Sequence, residues 1–251
     1  MKMRKKSFLL ICLALLALLI GGSMLYVTHY YHADEAARQA LLSDDLVSVS
    51  QTAYGWFFDG PSRESALVFY PGAKVEAQAY APLLHELAAE GMDVCLVSMP
   101  LRFAFLDMDR AARVMEEYEY DRWYVGGHSL GGACASSFAA RHGERLSGLI
   151  LLGAYPTGEV DEDLAELFIY GTEDGILNRE KYEQGKAFWN SKAEEWVIPG
   201  GNHAQFGSYG PQKGDGAARI SPEEQIRETV CAVIAVLKES GNEDALEGPA
   251  A

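Results

Sequence analysis

The sequence predicts an α/β fold in three layers, a mostly parallel sheet with helices on both faces. Short continuous apolar runs alternate with stretches of helical periodicity, and most of those runs end in turns rich in glycine. Strands that are apolar on both sides belong to a parallel sheet covered on both faces. The third observation is the segment Gly126-Gly127-His128-Ser129-Leu130-Gly131-Gly132, placed where an apolar run at 123–125 hands over to a small-residue helix at 133–141. It contains G-x-S-x-G, which places a serine on a sharp strand-to-helix turn that tolerates only small neighbours. The chain of 251 residues is 49% hydrophobic, enough for one sizeable core and one domain.

Four cations, Lys2, Arg4, Lys5 and Lys6, open the chain, and residues 7–28 carry no charge. Twenty-two such residues suffice for a helix that crosses a bilayer. The run ends Gly21-Gly22-Ser23-Met24-Leu25-Tyr26, a poor cleavage site, and Tyr26, Tyr30 and Tyr31 are spaced like interfacial anchors. The reading is a basic segment at 1–6, a transmembrane anchor at 7–28 and a stalk at 29–44. The alternative is a signal peptide removed on secretion. With the cations ahead of the span, the amino terminus stays in the cytoplasm and the body lies outside the cell. Net charge is −15, and without those four cations the remainder carries −19, which excludes nucleic acid as a partner. Cys12, Cys95, Cys134 and Cys231 lie at no metal-ligand spacing and read as isolated, buried thiols.

The globular domain spans 45–240. Residues 47–50 and 56–58 read as an antiparallel lead-in at the sheet edge, and 66–70 as a strand ending at Pro71-Gly72. Tyr80, Leu83, Leu84 and Leu87 keep helical spacing, with Gly91 placed to end that helix. Further strands follow at 92–97, 123–125, 149–152, 167–170 and 196–198, with a helix marked by Met108, Ala111, Ala112 and Met115 between the first two. The last helix opens with the capping box Ser221-Pro222-Glu223-Glu224 and lines up Ile226, Val230, Val233, Ile234 and Leu237. Residues 241–251 read as a disordered acidic tail.

In such sheets ligands bind beyond the carboxyl ends of the strands. There lie Ala73, Ser129 with Leu130 after it, Glu173-Asp174 and His203. A serine hydroxyl needs a neighbouring base to become a nucleophile. A histidine can take that proton and return it to the leaving group, and a carboxylate can hold the imidazole in the right tautomer. The order Ser129, Asp174, His203 is the one expected of a G-x-S-x-G serine. Glu173 is the rival acid; Asp174 lies one residue deeper in the loop. The backbone N–H groups of Ala73 and Leu130 would form the oxyanion hole. His128 lies inside the turn, with its side chain expected to point away from the serine hydroxyl.

Residues 69–75 (Phe-Tyr-Pro-Gly-Ala-Lys-Val), 127–132, 169–174 (Ile-Tyr-Gly-Thr-Glu-Asp) and 200–210 (Gly-Gly-Asn-His-Ala-Gln-Phe-Gly-Ser-Tyr-Gly) resemble the α/β-hydrolase superfamily. More narrowly they resemble small membrane-anchored bacterial members related to dienelactone hydrolases and carboxylesterases. The resemblance covers roughly 45–240. It implies an eight-stranded sheet, a Ser-His-Asp triad and no metal or organic cofactor. One departure matters: dienelactone hydrolases use a cysteine nucleophile, and this chain has Ser129.

Only fourteen residues separate Leu152 from Leu167, which leaves no room for a cap domain. The expected pocket is therefore open and lined by Lys74, Met99, Leu101, Phe103 and Tyr155. The glycine-rich loop 207–216 could close over it, with Lys213 and Arg219 holding an anionic substrate. The resulting expectation is a serine hydrolase acting on a small ester or related acyl bond. An acyltransferase on cell-envelope polymers and a non-catalytic binding module with the same fold are the alternatives.

Overall fold

A computed structural model describes residues 5–246. Eight strands form one sheet: β1 (Ser48–Gln51), β2 (Gly55–Asp59), β3 (Ser65–Tyr70), β4 (Met92–Val97), β5 (Arg122–His128), β6 (Gly148–Leu152), β7 (Ala165–Gly171) and β8 (Ala193–Ile198). Their spatial order is β1-β2-β4-β3-β5-β6-β7-β8. The lead-in strands β1 and β2 pair antiparallel with each other, and β2 pairs antiparallel with β4; all other pairs are parallel. Every strand expected from the apolar runs is present.

Burial explains the continuous apolar runs. In β3, Leu67 and Phe69 join the core on one face, whereas Ala66, Val68 and Tyr70 join the core on the other. The first core packs against α3 (Ala81–Ala89) and α7 (Pro222–Leu246), the second against α4 (Arg110–Met115) and α5 (Leu130–His142). A strand clamped between two helical layers must be apolar at consecutive positions, so its period of two vanishes from the sequence. Each fully buried Leu or Phe contributes about 1.5–3 kcal/mol.

The chain runs β3, β4, β5, yet β3 lies between the other two. Tyr70 pairs with Gly127, so the loops after β3 and β5 leave the sheet side by side and then diverge. That divergence opens a crevice at the sheet's carboxyl edge. Between β6 and β7 there is neither helix nor strand, and no cap domain is built there.

Helix α1 (Lys5–Thr28) precedes the body. Its segment Ile11–Thr28 has a mean hydropathy of 2.2 and buries none of its residues, which makes it long and apolar enough to span a membrane or to serve as a signal sequence. A short helix, α2 (Glu35–Gln39), is capped by Asp34 in the expected stalk. At the other end α7 continues to Leu246, six residues into the stretch expected to be a tail. Residues 1–4 and 247–251, with the rest of the basic segment and of that tail, lie outside the described residues. All four cysteines are free, but only Cys95 and Cys134 are buried; Cys12 lies on α1, whose apolar segment buries no residue, and Cys231 is exposed on α7.

Candidate active site

Ser129 sits between β5 and α5 with φ 55° and ψ −125°, a left-handed conformation that costs a non-glycine residue of order 1–3 kcal/mol. Hydrogen bonds on both sides hold it there: its N–H donates to Leu152 O (2.9 Å), and its carbonyl accepts from Ala133 N (3.1 Å). The turn needs Gly131, since a Cβ there would run into the carbonyl oxygens of Tyr70 and Pro71. The glycines of the motif are thus explained by close backbone packing against the loop after β3.

His203 and Asp174 meet below this turn. The Nδ1 of His203 lies 2.8 Å from Asp174 Oδ2, and both side chains are buried. The other carboxylate oxygen accepts the N–H groups of Ile176 (2.9 Å) and Leu177 (2.8 Å). An ionised carboxylate only accepts, so Nδ1 is the nitrogen that donates to Asp174 and Nε2 is the one left over. That Nε2 is buried and finds no hydrogen-bond partner among the described residues. Glu173 turns the other way, to Thr172 Oγ1 (3.2 Å) and the exposed Arg219 (3.3 Å).

Two further residues, absent from the sequence reading, fix this pair. Gly153, at the end of β6 with φ +52°, lies so close that a Cβ would stand 2.8 Å from His203 Nδ1 and 3.2 Å from Asp174 Oδ2. Asp215 accepts from Gly175 N (3.0 Å) with one oxygen and from Ala204 N (2.8 Å) with the other, joining the acid loop to the histidine loop. Loop 207–216, expected as a mobile cover, is therefore stitched to the body; Ser208 N also donates to Ala79 O (2.6 Å).

Ser129 and His203 line one cavity of about 190 Å³, shared with Leu130, Tyr155, Leu177 and Asn178. Above it, Gly72 N donates to Tyr80 Oη (3.0 Å), leaving the phenol proton for His128 Nδ1 at 2.8 Å. Burial first, and then the neighbouring His203, hold the His128 imidazole well below its ordinary pKa, so it stays neutral and accepts that bond. The His128 ring lies tilted against that of His203, with 4.3 Å between centroids. Lys74 N is bonded to Arg102 O and Val75 N to Gly72 O. By contrast, the N–H groups of Ala73 and Leu130 meet no acceptor among the described residues.

The expected pocket residues divide. Tyr155 lines the Ser129 cavity, whereas Met99 and Leu101 line a separate one of about 330 Å³ with Pro71 and Arg102. Lys74 and Phe103 line neither and face the end of α1: the Lys74 ammonium sits 4.0 Å over the Tyr26 ring, and Phe103 stacks on Tyr26 at 6.4 Å. Lys213 gives its backbone N–H to Tyr31 Oη (3.1 Å), and Arg219 pairs with Glu173. No group of three or more potential metal ligands gathers among the described residues.

Residues 66–227 match the model of the alpha/beta hydrolase family. A non-heme haloperoxidase-like protein of Mycobacterium phage D29 is 32% identical over 116 residues, which are 42% of this chain and 41% of the relative. The chain thus spans about two fifths of that relative's length. Among solved structures, a bacterial membrane phospholipase A superposes with a TM-score of 0.57 at 15% identity, covering 94% of this chain and 99% of the other. An esterase of M. tuberculosis superposes with a TM-score of 0.53 at 13% identity, covering 77% and 94%. A serine hydrolase involved in carbazole degradation gives 0.55 at 11% identity, covering 76% and 99%. What these structures share with the chain is the fold.

Proposed function

The chain belongs to the alpha/beta hydrolase family, and on that premise we propose that it is a serine hydrolase cleaving a small ester or related acyl bond. One observation carries the reading: a buried histidine whose Nδ1 is held by Asp174 keeps an unpartnered Nε2, and that histidine lines the same cavity as Ser129. In the proposed reaction, Ser129 Oγ attacks the acyl carbon while Nε2 of His203 takes its proton. The carbonyl π electrons move onto oxygen, and the N–H groups of Ala73 and Leu130 donate to that oxyanion, each worth about 3–4 kcal/mol. Collapse expels the alcohol, which takes the proton from His203 and leaves an acyl-serine. A water molecule then attacks the acyl carbon, giving its proton to Nε2; collapse breaks the acyl–Oγ bond, releases the carboxylic acid and returns that proton from Nε2 to Ser129 Oγ. Asp174 holds the tautomer and stabilises the imidazolium throughout.

The small cavity suits a short acyl group. In the same reading α1 spans the membrane, with the amino terminus in the cytoplasm and the body on the external side. Full-length protein in detergent should hydrolyse a short-chain nitrophenyl ester and react with a fluorophosphonate probe. Ser129→Ala should lose both; equal turnover in that variant would sink the proposal.

A further inference from the structure

The end of α1 lands on the rim of the crevice. Tyr31 forms a β-bridge with Val75, its N–H donating to Lys74 O (2.8 Å) and its carbonyl accepting from Glu76 N (2.9 Å). The Arg102 guanidinium sits 3.3 Å over the Tyr30 ring. Only two residues, His29 and Tyr30, separate Thr28, where α1 ends, from Tyr31, so this rim stands at most about 10 Å from the end of the apolar helix. The polar layer on each side of a bilayer is about 5–7 Å thick. A body tied this closely keeps its rim within a few ångströms of that layer.

The rim is apolar where it would meet lipid. Leu101, Phe105 and Leu106 are 57%, 51% and 48% exposed. They continue the aromatic line from Tyr26 through Phe103 to Phe105, whose rings lie 6.4 and 5.3 Å apart. Leu101 and Arg102 hold φ of 50° and 63°, a conformation unusual outside glycine. Large exposed side chains held by a strained backbone, beside aromatic rings under cations, have the composition of an interfacial anchor.

We infer that loop 98–106 rests on the bilayer that α1 enters, dips Leu101, Phe105 and Leu106 into the leaflet, and presents the crevice to acyl esters carried by that membrane. The substrate clause rests on the serine-hydrolase reading above, and the surface on the reading of α1 as a membrane span.

Full-length protein in phosphatidylcholine vesicles, with and without brominated acyl chains, tests the surface. The emission added by Phe105→Trp should fall about twofold in brominated vesicles, while that added by Asp121→Trp, at the opposite edge of the sheet, should stay unchanged. No quenching at 105, or equal quenching at both positions, overturns the inference. The double variant Phe105→Ser/Leu106→Ser should lose about fivefold or more on the butyryl ester of a long-chain alcohol held in the vesicles, with a short soluble ester within about twofold of wild type. An equal loss on both esters overturns the substrate clause. Absence of all hydrolysis in the wild type, with quenching intact at 105, overturns the serine-hydrolase reading and leaves the surface standing.

Discussion

Gly153 leaves no room for a side chain, because its missing Cβ is the space in which His203 and Asp174 meet. Gly153→Ala would set a methyl 2.8 Å from Nδ1 and force an alanine to φ +52°. The backbone cost alone is about 1 kcal/mol. The expected outcome is a loss of at least about tenfold in kcat/KM, since a displacement near 1 Å at a reacting group costs about a hundredfold. A variant that keeps wild-type turnover would separate the His203–Asp174 contact from activity. Tyr80 acts at one remove. Burial pushes its phenol well up, so it stays protonated and can donate to His128 while accepting from Gly72. Tyr80→Phe leaves both partners buried and unpaired, a cost of about 1–3 kcal/mol each, and frees the loop that carries Ala73. Steady-state kinetics should show kcat falling with KM little changed. The sequence displayed the serine, acid and histidine because each follows a strand directly. It did not display the roles of Gly153 and Tyr80, because His203 and His128, the rings they meet, lie far along the chain from them.

At the scale of the element, β7 buries a carboxyl group. Glu166 is fully buried, with one oxygen accepting from Asn190 N (2.8 Å) and the other unpartnered. Burial raises its pKa, the Asn190 bond opposing in part. A raised acid pKa means that the folded state holds the proton more tightly than the unfolded one. Between the ordinary carboxylate value and the raised one, stability therefore falls as pH rises. Glu166→Gln removes that penalty. Its melting temperature should exceed wild type at pH 7, by about 2–4 °C per kcal/mol relieved, and the difference should vanish below about pH 4. Melts of both proteins across that range check the sign. The strands themselves were legible, because helices on both faces demand unbroken apolar runs. The short helix α6 (Arg179–Gly185) was not: it buries only Tyr182 and Gly185, too little to leave a period. The length of α7 was also hidden, since acidic residues past 240 resemble a tail in composition while extending a helix in geometry.

At the scale of the molecule, the stalk is part of the body. Composition separated an anchor, a stalk and a domain, and nothing local shows that residues 29–34 stitch two distant loops together. Tyr31 reaches Lys74 and Glu76 through its backbone and Lys213 through its hydroxyl, and its ring packs 5.5 Å from that of Tyr209. Loop 71–75, which carries Ala73, is thus held from outside by the segment that leads into α1. Two truncations isolate this link. A chain beginning at residue 29 keeps Tyr31; one beginning at residue 33 loses it but retains Asp34 as the cap of α2. Three hydrogen bonds at a half-exposed site are worth about 2 kcal/mol together once water replaces them. The shorter chain should therefore melt about 4–8 °C lower. Its turnover of a soluble ester should fall by more than that stability loss explains at 25 °C, because the freed loop moves Ala73, which the proposed reaction uses as an oxyanion donor. Equal turnover in the two truncations, with the melting temperatures still apart, would confine the stalk to a structural role.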